Sequence, residues 1–158
     1  YTGGSNGTGA LALGSGGLLE LLFVGTQIGN SGDSRVDLYV VEIGGFDEAF
    51  YFALRPVAPA PPADLLALGL QDQNGDGFFE FGWIAGGATT RIDLDAYFDL
   101  PVPELGVRFD AVQLIDDVLD HTTCTSTVGA DIDTVEASQA YVAIEPATWS
   151  LVKALYRH

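Results

Sequence analysis

The 158 residues carry 22 acidic and 6 basic side chains, which gives a formal net charge of −16 at neutral pH, and 47% of the residues are hydrophobic. A chain of this length is expected to form one domain that buries about two thirds of its unfolded surface, and the hydrophobic content excludes wholesale disorder. The acidic surface excludes nucleic acids and anionic membranes as electrostatic partners, whereas it attracts divalent cations.

The N-terminal segment, residues 1–17, is rich in Gly, Ser, Thr and Asn and contains the alternating run Ala10-Leu11-Ala12-Leu13. This composition predicts an extended arm, in which glycines supply reach and Leu11 and Leu13 point to one face. Such an arm either adds a strand to a neighbouring subunit or folds back onto its own sheet. The triplet beginning at Asn6 is an N-glycosylation sequon.

Short runs with strand character follow the arm and are separated by turns that contain Gly, Asp and Pro. The runs are Leu18–Val24, Val36–Ile43, Ala49–Arg55, Phe78–Ile84, Thr89–Leu94, Val107–Asp116 and Ala130–Ala137. Many short strands with such turns predict an all-β fold, an antiparallel β-sandwich over residues 18–145. Residues 146–158 differ, because Trp149, Val152 and Leu155 recur at helical spacing. This segment is predicted to be a short amphipathic C-terminal helix that packs on the domain or on a neighbour.

Oxygen-bearing side chains alternate in the stretch "QDQNGDG", as in the first half of an EF-hand loop. The twelfth position from Asp72, which an EF-hand fills with a bidentate glutamate, is Trp83, and the intervening residues read as a strand. The stretch is therefore not an EF-hand, but its ligands still suit calcium. The predicted shell consists of Asp72, Asn74, Asp76, Glu80 and a backbone carbonyl near Phe78. A metal-free hairpin turn is the alternative.

A second calcium site is predicted near the end of the chain. Asp131 and Asp133 would share one strand face because side chains alternate with period two, and Asp116 and Asp117 could face them across a loop. Oxygen ligands favour calcium over zinc or copper. A solvated acidic rim is the alternative.

No catalytic machinery stands out, and the chain is predicted not to be an enzyme. Nothing distinguishes one carboxylate pair among 22 acids, as a glycosidase would require. His121 and Cys124 lack the further ligands or base that a zinc site or a nucleophilic couple needs.

The absence of methionine predicts that a secretory leader has been removed, which indicates a secreted or cell-surface protein. A single cysteine excludes an internal disulfide framework, so bound calcium would stabilise the fold in place of disulfides. No apolar run is long enough to span a membrane.

Several segments between Gly14 and Ser138 resemble a group of secreted bacterial cell-surface modules with the galactose-binding-like jelly-roll fold. The segments are "LGSGGLLELLF", "DLYVVEIGG", "DQNGDGFFEFG", "TTRIDLDAYF", "FDAVQLIDD" and "STVGADIDTVEA". The resemblance implies an extracellular jelly-roll sandwich whose acidic loops hold calcium, and it adds Asp33 in the loop Asn30–Asp37 as a ligand. The later "IEPATWSLVKAL" is similar to the opening of a Pro-Glu-Pro sorting anchor, but Lys153 interrupts its apolar stretch.

Two functions from different classes are predicted. The first is an extracellular structural subunit that forms a head-to-tail fibre with copies of itself by strand addition, with Leu11, Leu13 and Trp149 at the subunit interface. The alternative is a carbohydrate-binding cell-surface module that stacks sugar rings on exposed aromatic side chains. The candidates for that role are Tyr39, Tyr51, Trp83 and Tyr97.

Overall fold

The computed structural model describes residues 11–43, 48–57, 69–97, 108–117, 129–138 and 140–142. Within these ranges the chain forms β-strands and one 3-10 turn, Leu94–Tyr97, and no α-helix. The strands are β1 (Leu11–Ala12), β2 (Leu18–Leu22), β3 (Thr26–Gly29), β4 (Leu38–Glu42), β5 (Phe50–Pro56), β6 (Phe79–Ile84), β7 (Thr90–Ile92), β8 (Arg108–Asp116), β9 (Asp131–Ala137) and β10 (Ala140–Val142).

The structure confirms all of the strands predicted from the sequence, with ends that differ by no more than two residues. It adds β1, β3 and β10, which are short. The predicted helix over residues 146–158 lies outside the described residues.

The strands form two antiparallel sheets. The four-stranded sheet has the order β1-β9-β4-β7, and the six-stranded sheet has the order β10-β3-β8-β5-β6 with β2 also paired to β8. Strands β2 and β3 follow the same edge of β8 one after the other, since Leu22 pairs with Ala111 and Ile28 with Phe109. At most connections between consecutive strands, the chain passes from one sheet to the other. The described part of the fold is all-β and sandwich-like.

The core lies between the two sheets. Leu38 and Val40 come from the four-stranded sheet, and Phe52, Phe109 and Leu114 from the six-stranded one, all fully or almost fully buried in one apolar cluster. Strand β4 alternates between buried and half-buried residues because its one apolar face meets this core. The part of the chain that the structure describes contains no helix long and apolar enough to cross a bilayer.

A β-bulge interrupts β9. Val41 pairs with Thr134 while the next residue, Glu42, pairs with Ile132, so Asp133 is an extra residue on β9. The alternation of side chains changes at this point, and Ile132 and Val135 both reach the core although they are three residues apart.

Candidate metal centres and assembly edge

The loop that begins at Asp72 is closed by the Asp72 carboxylate. Its Oδ1 atom accepts the N–H of Gly75 at 2.6 Å, and its Oδ2 atom accepts the N–H of Gly77 at 3.0 Å. Both glycines have positive φ angles, 78° and 90°, which side-chain-bearing residues adopt with strain. These glycines therefore allow the tight path that surrounds the carboxylate.

Asn74 and Asp76 continue the same hydrogen-bond pattern. Asn74 Oδ1 accepts the N–H of Asp76 at 2.9 Å, and Asp76 Oδ1 accepts the N–H of Phe78 at 2.8 Å. Asp76 Oδ2 accepts the side-chain amides of Asn74 at 3.0 Å and Gln113 at 3.1 Å. Burial raises the pKa of Asp76, but the hydrogen bonds from Phe78, Gln113 and Asn74 outweigh it and hold the pKa below its usual value.

Glu80 borders the loop where β6 begins, and its Oε2 atom accepts the N–H of Gln73 at 3.0 Å. Phe78 is buried against Ala53 and Ala111, which anchors the loop to the outer face of the six-stranded sheet. The structure thus brings the predicted ligands onto one ordered loop. Its three carboxylates do not approach one another within 4.8 Å as a group, and calcium binding there stays a prediction.

The four aspartates of the second predicted site have different surroundings. Asp116 is buried, and its Oδ1 and Oδ2 atoms accept the N–H groups of Ala130 at 2.9 Å and Gly16 at 3.2 Å. Asp117 and Asp131 are half-buried, and Asp133 is the buried bulge residue. Among the residues that the structure describes, no three of these carboxylates meet at one point. Asp116 instead fastens the turn after β1 to the start of β9.

Asp33 lies in the loop between β3 and β4 and forms an ion pair with Arg35 at 2.8 Å. The hydrogen bonds from Arg35 lower the pKa of this exposed carboxyl. Because both side chains are exposed, the pair contributes little to stability.

A different acidic set lies beside Asp33 and is called here the Asp37 cluster: Asp37, Asp93 and Asp95. Oxygen atoms of these three carboxylates lie within 4.8 Å of one another. Asp37 is fully buried just before β4, whereas Asp93 and Asp95 are half-buried after β7. The sequence analysis did not identify this set. The feature of the sequence that could have indicated it is the pair Asp93 and Asp95, which lie two residues apart in "TTRIDLDAYF", at the end of a predicted strand.

Hydrogen bonds fix the Asp37 cluster to two loops. Asp95 accepts the side-chain amide of Asn30 at 2.8 Å and the N–H of Gly32 at 2.9 Å. Asp93 Oδ1 accepts the N–H of Asp95 at 3.1 Å, and Asp37 Oδ2 accepts the N–H of Leu94 at 2.9 Å. The cluster therefore joins the loop after β3 to the turn after β7.

The electrostatics of the Asp37 cluster are unfavourable for three negative charges. Burial raises the pKa of Asp37, opposed by the amide of Leu94 and the polar groups of Ser31 and reinforced by Asp95. Burial also raises the pKa of Asp93, and the charges of Asp95 and Asp33 act in the same direction.

The end of the N-terminal arm pairs with β9 of its own chain. Leu11 faces Ile132 and Ala12 faces Asp131 in the ladder, and the N–H of Leu13 donates to the carbonyl of Ala130 at 3.0 Å. This is the folded-back arrangement that the sequence analysis left open. Leu11 remains 51% exposed. It borders an apolar groove of about 210 Å³ between the sheets, lined also by Leu19, Leu21, Ile132, Asp133, Thr134 and Val135.

The turn between β1 and β2, residues 13–17, is tightly built. Gly14 and Gly16 have positive φ angles of 71° and 69°, and the N–H of Gly17 donates to the carbonyl of Gly14 at 2.8 Å. A Cβ atom on Gly17 would lie 1.6 Å from the carbonyl oxygen of Leu13. This turn is the hinge through which the arm would have to leave its own sheet.

Among the aromatic candidates for sugar stacking, Trp83 is 56% exposed and meets Tyr51 edge to face, with ring centroids 5.2 Å apart. Tyr39 is half-buried, and Tyr97 packs against Phe81 at 5.7 Å. Asn6, His121, Cys124 and Trp149 lie outside the described residues.

No protein-family model matches this sequence, and neither a curated protein nor a solved structure shows significant similarity to it.

Proposed function

We propose that this chain is a secreted, non-catalytic structural subunit of the jelly-roll type, which joins copies of itself head to tail by exchanging its N-terminal arm. The observation that carries the proposal is the short attachment of the arm to β9. Within the described residues, β1 pairs with Asp131 and Ile132, Leu11 stays 51% exposed, and an apolar groove lies beside the two strands. A sheet edge that pairs with one short segment of its own chain can pair with the same segment of a neighbouring chain by strand addition.

Exchange would leave the contacts between the arm and β9 unchanged in kind. The arm of a neighbouring chain could form the same β1–β9 ladder, and its Leu11 could border the same groove, as the chain's own arm does. The two arrangements then differ mainly in the conformation of residues 13–17 and in the entropy of association. Each subunit would donate one arm and accept one, which produces a contact that repeats without closing.

The calcium part of the proposal concerns the Asp72 loop. Gln113, which donates to Asp76, also donates to Glu20 of β2 at 3.1 Å. Strand β2 forms the wall of the groove opposite β9 through Leu19 and Leu21. An ion bound by the loop would therefore stiffen the sheet face behind the assembly edge.

The exchange can be trapped with a disulfide between ladder partners. In a chain with Cys124→Ser, the pair Ala12→Cys and Asp131→Cys places two thiols at facing positions of β1 and β9. If arms are exchanged, mild oxidation should give a ladder of covalent oligomers on a non-reducing gel. The ladder should lengthen with protein concentration, because exchange between chains is favoured by concentration.

The matched control uses the other edge of β9. Tyr39→Cys with Glu136→Cys, in the same Cys124→Ser chain, links β4 to β9 within one subunit and should give monomers only. A deletion of residues 1–13 should also remove the oligomers of the unmodified protein while leaving a folded domain. If Ala12→Cys with Asp131→Cys gives only internally bridged monomers at every concentration, the exchange proposal is wrong.

Calcium should raise the unfolding temperature of the protein relative to a sample in chelator. An ion that binds only the folded state at a hundredfold excess over its dissociation constant adds roughly 3 kcal/mol to the free energy of unfolding. Asp72→Asn with Asp76→Asn should reduce this calcium response, as followed by circular dichroism. An unchanged response in the double variant would show that the Asp72 loop holds no ion.

The carbohydrate-binding function is favoured by one feature, the exposed Trp83 ring supported by Tyr51 on the six-stranded sheet. An exposed indole held by a second ring is a surface on which a sugar can stack. If the arm is never exchanged, this pair is the surface at which glycan binding should be measured.

A further inference from the structure

The Asp37 carboxyl has a buried oxygen atom, Oδ1, without a hydrogen-bond partner among the described residues. Asp37 is fully buried, and its Oδ2 atom is hydrogen-bonded to Leu94. A buried carboxylate oxygen without a partner is costly, so such atoms normally have a proton donor or a cation beside them. Burial raises the pKa of this carboxyl, and the hydroxyl and the N–H of Ser31 lie near it and oppose that rise as the N–H of Leu94 does. Neither group of Ser31 reaches Oδ1 with hydrogen-bond geometry.

The backbone prevents Asp37 from turning away. Its N–H donates to the carbonyl of Ile92 at 2.9 Å, and its carbonyl accepts the N–H of Ser138 at 2.8 Å. The next residue, Leu38, is fully buried in the core. The carboxyl is therefore held beneath the surface, in contact with the loops that carry Asp93 and Asp95.

The spacing of the three carboxylates fits a single ion. Oxygen ligands lie 2.3–2.6 Å from calcium, so two ligands on opposite sides of one ion are separated by about 4.6–5.2 Å. One oxygen from each of the three carboxylates satisfies this limit, since these three atoms lie within 4.8 Å of one another. Only oxygen ligands are present, and calcium accepts their irregular arrangement more readily than magnesium does.

We propose that Asp37, Asp93 and Asp95 form a calcium site in which Asp37 Oδ1 is a direct ligand. The ion ties the loop after β3, held through Asn30 and Gly32, to the turn after β7. This site is separate from the Asp72 loop, and it does not depend on arm exchange.

The site predicts opposite effects of one substitution with and without calcium. Asp37→Asn keeps an oxygen for the N–H of Leu94 and directs a donor toward Asp93 and Asp95. In chelator, the variant should unfold at the same temperature as the wild-type protein or higher, because a buried charge has been removed. In calcium, the variant should lose the part of the upward shift that comes from this site, and calorimetric titration should show one bound ion fewer.

Terbium, which occupies calcium sites and emits when a nearby tyrosine is excited, provides a readout specific to this place. Tyr97 is half-buried in the Leu94–Tyr97 turn, two residues after Asp95, and burial together with the charge of Asp93 raises its pKa. Terbium emission excited through tyrosine should fall in Asp37→Asn and in Tyr97→Phe. It should persist in Asp72→Asn with Asp76→Asn, which distinguishes the two proposed sites.

The inference is overturned if Asp37→Asn binds as many calcium ions as the wild-type protein. It is equally overturned if the wild-type protein binds no ion beyond those lost in Asp72→Asn with Asp76→Asn. Should Asp37→Asn fail to fold, Asp93→Asn serves as the second variant, since its retained oxygen still accepts the N–H of Asp95. The same loss of one ion is then expected.

Discussion

Replacing Phe52 with alanine is expected to lower the free energy of unfolding by about 3–5 kcal/mol. Phe52 is fully buried on β5, and its ring contacts that of Phe81 at a centroid distance of 5.2 Å. Phe81 in turn meets Phe109 at 6.1 Å, so the cavity would open in the middle of an aromatic cluster. Small domains have a total stability of about 5–15 kcal/mol, so the loss would be a large part of the whole.

Urea unfolding at fixed calcium concentration measures this loss. Trp83→Ala on the neighbouring strand is the matched control, because it removes a larger ring that is 56% exposed. The control should change the free energy of unfolding by about 1 kcal/mol or less. Equal losses in the two variants would mean that the core does not lie between the sheets as described.

Asp116→Ala is the second substitution with a large expected effect, about 1–3 kcal/mol of the free energy of unfolding, which is the cost of one buried donor without a partner. The change leaves the buried N–H of Ala130 without its acceptor and also removes the acceptor of the exposed Gly16 N–H, which water can replace. The same change releases the hinge at residues 13–17. Covalent ladders from Ala12→Cys with Asp131→Cys should therefore form at lower protein concentrations in the Asp116→Ala background.

Asp131→Ala is the control, since Asp131 is half-buried and its carboxylate makes no hydrogen bond to the residues that the structure describes. This variant should stay within about 0.5 kcal/mol of the wild-type protein. If Asp116→Ala is as stable as Asp131→Ala, Asp116 does not fasten the hinge.

The strands with strong apolar character could be predicted from the sequence, because Val36–Ile43 and Val107–Asp116 combine β-branched residues with clear turn boundaries. Strand β3, "TQIG", could not be, since its single buried apolar side chain, Ile28, has no local alternation to reveal it. Strand β3 forms because β8 is long enough to pair with β2 and β3 in turn.

The Asp72 loop was visible because its candidate ligands lie within a few residues of one another in the chain. The Asp37 cluster was not, because Asp37 and Asp93 are brought together by the pairing of β4 with β7. The shared face expected for Asp131 and Asp133 relied on regular alternation, which the bulge at Asp133 changes. Asp116 looked like a ligand, and only the fold shows that its two oxygens are used by backbone N–H groups.

The strand order also governs the time at which each part of the protein can become ordered. Apart from β5 with β6, every paired set of described strands joins partners that are not consecutive in the chain. β1 and β2 find their partners about a hundred residues later, in β9 and β8. Topologies of this kind fold in roughly milliseconds to seconds, because the entropy of closing long loops is lost before the contacts between distant strands stabilise the chain. While the chain is being synthesised, an early β1 therefore stays unpaired until β9 follows, and in a concentrated population of chains the first β9 that it meets can belong to another molecule.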